Sequence, residues 1–86
     1  MKKVKIFYME GCPHCRRAFR ILDDLIANNS EYANIDMEYI DENKDVQAAN
    51  AHDYYYVPTF YVDGVKVHEG VPTKEKIERV LMEAIK

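Results

Sequence analysis

Cys12-Pro13-His14-Cys15 is the stretch of this 86-residue chain whose residue types and spacing carry the most chemistry. Two side chains three apart on a helical turn lie about 5–6 Å from each other. A disulfide can close that gap with little backbone movement, so the pair can cycle between dithiol and disulfide. The nucleophile in such chemistry is the thiolate, and its surroundings decide how much of it exists.

Those surroundings come from two predicted elements. Upstream, Val4-Lys5-Ile6-Phe7-Tyr8 is a β-rich apolar run, placing a buried strand over residues 3–8. Downstream, Cys15, Ala18, Phe19, Leu22, Leu25 and Ile26 recur at helical spacing, which gives a helix from Pro13 to about Asn28. Cys12 thus falls at a strand-to-helix turn, with Pro13 at the first helical position, where a missing N–H costs nothing. Unpaired backbone N–H groups and the positive end of the helix dipole both favour a thiolate there. Cys12 is expected to be the exposed, attacking thiol. Cys15 begins the apolar stripe and is expected to be shielded, with a raised pKa, as the resolving thiol.

His14 lies beside the same helix end. As a cation it would hold the Cys12 thiolate, and as a neutral ring it could donate a hydrogen bond; a plainly solvated ring is the alternative. Stabilising the thiolate stabilises the reduced form and makes the couple more oxidising. Arg16 and Arg17 put positive charge in the first turn, against the dipole. An anionic thiolate or substrate nearby would give that placement a reason.

Composition narrows the remaining possibilities. The length bounds the chain to one small domain, residues 1–86, and the 48% hydrophobic content suffices for two packed layers. A net charge of -3 without a basic stripe gives no footprint for nucleic acid. No apolar run reaches the roughly 18 residues of a membrane span. Met1 runs almost directly into the first strand, so no export signal is expected, and two cysteines then point to catalysis or metal in a reducing cytoplasm.

Further along, Ile35, Met37 and Tyr39 alternate with Asp36 and Glu38, predicting a second strand with one buried face. Asp41-Glu42-Asn43 supplies caps for a short helix over 44–52, with Val46, Ala49 and Ala51 as a weak stripe. Pro58–Val62 and Val65–His68 read as strands joined by Asp63-Gly64, a two-residue hairpin turn whose positions both need positive φ. Thr73 caps a last helix carrying Ile77, Val80, Leu81, Ala84 and Ile85 on one stripe. The order βαβαββα gives an α/β fold, a four-stranded mixed sheet with three helices.

The residues Cys12-Pro13-His14-Cys15-Arg16-Arg17-Ala18, Val57-Pro58-Thr59 and this element order together resemble the thioredoxin superfamily, small glutaredoxins in particular, over essentially the whole chain. Asp41-Glu42-Asn43 also looks like the segment before helix two in many thioredoxins. The resemblance implies a thioredoxin fold and thiol–disulfide oxidoreductase activity through Cys12 and Cys15. It implies a cis Pro58 facing the cysteines and a Val57 backbone offered to an extended substrate, as an added strand would be. It implies no bound cofactor but an external electron donor, glutathione or thioredoxin reductase. Disulfide-containing proteins or glutathione would be the partners of a monomer. The chain departs from glutaredoxins in having His14 for tyrosine, as in periplasmic disulfide-forming oxidants, and Tyr56 for threonine. Of the glycine pair after the hairpin it keeps only Gly70. Thioredoxins place an aspartate in the first strand, where this chain has Ile6, so the proton acceptor for resolution is unassigned.

Tyr54, Tyr55 and Tyr56 precede the proline. They could rim the site, but packing of at least two on the domain edge is the expectation. A second functional class is a metal module, with Cys12, Cys15, His52 and His68 as a zinc set or with iron–sulfur ligation in a dimer. Against the zinc set, His68 is expected on the outward face of its strand. A third class is a non-catalytic partner-binding domain, which the intact dithiol disfavours.

Overall fold

The computed structural model describes residues 1–86. Its elements follow the order β1 (Val4–Tyr8), α1 (Pro13–Asn28), β2 (Met37–Asp41), α2 (Val46–Asn50), β3 (Thr59–Val62), β4 (Val65–Glu69) and α3 (Lys74–Ala84), with a 3₁₀ turn over Ser30–Tyr32. The strands form one mixed sheet in the order β2-β1-β3-β4. β1 runs parallel to β2 and antiparallel to β3, and β3 and β4 form a hairpin. No helix is long and apolar enough to cross a membrane.

Strand alternation sorts the core into two layers. Val4 and Ile6 of β1 and Phe60 and Val62 of β3 face Ala18, Leu22 and Leu25 of α1 and Ile77, Val80, Leu81 and Ala84 of α3. Phe7, Ile40 and Tyr61 face the opposite way and are closed over by Ala48 of α2, Tyr54 and Val57. Each fully buried aliphatic side chain contributes about 1.5–3 kcal/mol, so the larger layer dominates stability.

Local signals set several boundaries as expected. Pro13 opens α1, and the Thr73 side chain accepts from the Lys76 N–H at the start of α3. Asp63 and Gly64 both have positive φ, 47° and 82°. The Asp63 carboxylate also accepts from the Lys3 N–H at 2.9 Å, and the Asp63 N–H donates back to the Lys3 carbonyl. Beside this hairpin tip, the Lys2 N–H donates to the Ala84 carbonyl at 2.9 Å, tying the start of the chain to the end of α3.

Four expectations are corrected. β2 has apolar contacts on both faces: Tyr39, at the sheet edge, is 49% exposed while Ile40 is buried under α2. The short helix is capped by Asp45, whose carboxylate accepts from the Ala48 N–H, and Asp41 instead folds the turn before it by accepting from Asn43. Ala48 is the α2 side chain that joins the core, whereas Val46 is 53% exposed. His68, expected outward, is buried. A β-bulge between Phe60 and Tyr61 shifts the register so that Phe60 pairs with His68 and Thr59 with Glu69. One extra residue on a strand swaps the face of everything beyond it.

The buried His68 ring lies 5.9 Å from Phe60, and its Nε2 sits 3.0 Å from the Gly70 carbonyl, which fixes that nitrogen as the protonated one in the neutral ring. Burial lowers its pKa from the ordinary 6.5, and the Lys76 ammonium adds to this against opposing pulls from Gly70 and Glu69. A depressed histidine binds fewer protons folded than unfolded, so its contribution is complete above pH 6.5 and lost as pH falls through the folded value. The urea midpoint should therefore fall on going from pH 7.5 to pH 5, and His68→Phe should flatten that dependence. An unchanged slope in the variant would remove His68 as its source.

Candidate active site

Cys12 is the N-cap of α1, with extended backbone (φ −86°, ψ 112°). Its Sγ accepts a hydrogen bond from the Cys15 N–H at 3.2 Å. The sulfur thus takes the place that an oxygen occupies in an ordinary N-cap, directly on one of the unpaired donors of the first turn. On its other side Sγ lies 3.9 Å from the Val57 carbonyl oxygen, to which a thiol proton can be donated. The exposure expected for Cys12 is not found: the residue is only 5% exposed. The segment before β3 lies against it, and that contact comes from residues 45 positions away.

Cys15 sits one turn deeper at 1% exposure. Burial and the bond with Cys12 push its thiol up to about 12, only partly offset by a bond from the Met9 backbone. The expectation of a shielded thiol with a raised pKa holds. The two cysteines are free and adjacent, bridged by the Cys15 N–H.

The Val57–Pro58 peptide bond is cis. Pro58 is fully buried, and its carbonyl accepts from the Gly70 N–H at 2.9 Å, which brings the end of β4 to the start of β3. Gly70 has φ +93°, and a Cβ there would meet Tyr56 at 3.9 Å. The Val57 N–H takes no backbone partner within the chain. Beside this edge opens a groove of about 550 Å³ lined by His14, Tyr56, Val57, Glu69, Gly70, Val71 and Lys76. Arg16 is exposed, and the groove lining does not include it.

A family model for the thioredoxin domain matches residues 2–82. A thioredoxin of Methanocaldococcus jannaschii is 36% identical over 84 residues, which cover 98% of this chain and 92% of that one. The chain belongs to the thioredoxin family. Among solved structures, a Malassezia sympodialis thioredoxin superposes with a TM-score of 0.77 at 17% identity, covering 99% of this chain and 76% of that one. A mutant thioredoxin from Halobacterium salinarum gives 0.71 at 19% identity, covering 99% and 75%. These likenesses establish the thioredoxin fold, and family membership makes the chain a thiol–disulfide oxidoreductase.

Within this thioredoxin-family chain the tyrosine run behaves differently from expectation. Only Tyr54 packs, stacked 4.9 Å from Phe7 with its hydroxyl donated to Glu42 at 2.8 Å. Tyr55 and Tyr56 are 87% and 70% exposed. The zinc set does not assemble: His52 packs on Phe7 and Tyr61 on one side of the sheet, and His68 on Phe60 on the other. No three metal-ligating residues come together anywhere in the chain.

Glu69 has a role that the motif reading missed. One carboxylate oxygen accepts from the N–H groups of Tyr55 and Tyr56, and the other lies 2.7 Å from Lys66 Nζ. Lys66 first and the two N–H groups next hold the Glu69 carboxyl down at about 2. The carboxylate thereby fixes the turn that ends in Val57. Counting back from Asp63-Gly64 brings Glu69 close to the start of β3, and that was the available signal.

Proposed function

We propose that the chain reduces protein disulfides through Cys12 and Cys15 by way of a mixed disulfide. The observation that carries this is the Cys12 sulfur on the first-turn N–H of α1, with a buried, protonated Cys15 one turn below. Cys12 thiolate attacks one sulfur of the substrate disulfide. A new S–S bond forms, and the other substrate sulfur leaves as a thiolate that takes a proton from water. Cys15 then attacks the Cys12 sulfur, breaking the mixed disulfide; the second substrate sulfur leaves as a thiolate, and the Cys15 proton passes to it by way of water. Two electrons have passed to the substrate, and the chain holds a Cys12–Cys15 disulfide.

Pro13 fixes the helix start, and the exposed His14, which lines the groove, is the side chain that would donate a hydrogen bond to the Cys12 thiolate. The free Val57 N–H supports an extended substrate running past Val57 and Pro58 as an added strand, with Tyr56 and Gly70 flanking it and Arg16 outside the groove. No cofactor is bound in this cycle, and an external donor reopens the disulfide. Turnover with glutathione plus its reductase, or with thioredoxin reductase, as sole electron source identifies that donor. A free dithiol of this kind suits a monomeric single domain, residues 1–86, working in a reducing compartment such as the cytoplasm.

Limited alkylation tests the division of labour. With substoichiometric iodoacetamide at pH 7.5, peptide mapping should find the label on Cys12, because a thiol pushed up to about 12 is almost wholly protonated there. Equal labelling of both cysteines would contradict it.

A further inference from the structure

The groove beside Cys12 has an uneven charge balance. Its acidic and basic lining side chains are Glu69, His14 and Lys76. Glu69 is already matched, since Lys66 occupies one of its oxygens and the Tyr55 and Tyr56 N–H groups the other. Its negative charge is therefore spent within the chain, and its oxygens have little left to offer a ligand.

Lys76 is the reverse case. It is exposed and takes part in none of the four ion pairs, Lys3–Glu38, Lys44–Glu10, Lys66–Glu69 and Lys86–Glu83. Its neighbours one turn away on α3 are Thr73, Arg79 and Val80, so no acid lies within helical reach. Its charge is nonetheless felt at His68, next to Gly70 at the groove wall. Although the chain carries a net charge of -3, the groove thus presents an unmatched ammonium, and the His14 imidazole and the Val57 edge line the same groove.

We infer that this groove selects disulfide substrates carrying an acidic side chain next to the reacting cysteine, with Lys76 as the counter-charge. The inference rests on the disulfide-reductase reading and names its substrate class. A segment laid along Val57 would bring the residue flanking its cysteine over the groove, where a carboxylate meets Lys76 and an ammonium is repelled. Tyr56, 70% exposed, supplies the apolar wall against which such a side chain can lie.

The test compares matched peptide disulfides with Glu, Gln or Lys beside the cysteine, using kcat/KM for reduction. At low ionic strength the Glu peptide should exceed the Lys peptide by about fivefold, the scale of one exposed charge pair. The ratio should fall toward one near 1 M salt, where screening acts over about 3 Å. Lys76→Glu should reverse the order of Glu and Lys peptides. The substitution puts an acid in the first turn of α3, where it favours the helix, so misfolding is no alternative explanation. Lys74→Glu makes the same charge change outside the groove, beside Ile21 and Leu25, and should leave the preference in the wild-type direction. Equal rates for all peptides, an unreversed order in Lys76→Glu, or a reversal by Lys74→Glu would overturn the inference while leaving the reductase intact. Failure to reduce any of the peptides would instead overturn the reductase reading itself.

Discussion

Cys12→Ser should abolish disulfide reduction, lowering turnover by on the order of 10³ or more, as expected when the sole nucleophile is removed. The loss cannot be laid to unfolding. Cys12 is the N-cap of α1, and its side chain accepts from the Cys15 N–H. Serine is among the most favoured residues at that position, so its hydroxyl can take over the same bond. The variant should keep a thermal midpoint at or above that of the parent. Insulin or small-disulfide reduction at a rate near wild type would sink the assignment of Cys12 as attacker.

Cys15→Ser should have the complementary outcome. The first attack proceeds, but nothing displaces the captured substrate, so mixed disulfides accumulate to about one per chain, visible by intact mass and on non-reducing gels. The hydroxyl replaces a sulfur at 1% exposure, and an unpartnered buried hydroxyl costs about 1–3 kcal/mol. The Met9 backbone bond that reaches Cys15 offers it a partner, so the fold should survive. If Cys15→Ser turns over substrate like the parent without a trapped species, resolution does not run through Cys15.

Much of the fold was legible because its signals are local. The Asp63-Gly64 turn, the Thr73 cap and Pro13 at the first helical position each depend on a few neighbouring residues, and each is found as read. So is the dithiol at the head of α1. What escaped reading depends on partners remote in sequence. The bulge at Phe60/Tyr61 is a property of two strands at once, and it turned His68 inward and Glu69 toward the Tyr55–Tyr56 turn. Cys12 is covered by Val57, 45 residues away, which no periodicity around the cysteine could reveal. Tyr39 follows the alternation of its strand, yet β2 is an edge, and edges leave half of such a side chain in water. The three tyrosines show the same limit: their identity is the same, but only Tyr54 has an acceptor, Glu42, and a ring, Phe7, to rest on.

The bond between Lys2 and Ala84 and the neighbouring pair between Lys3 and Asp63 sit at the end of the sheet where β1 begins. Cys12 lies beyond the other end of β1, a strand of five residues spanning roughly 15 Å. Lys2 and Ala84 therefore lie on the side away from the sulfur pair. A reporter joined next to residue 1 or residue 86 would leave the mouth of the reactive centre open to large clients.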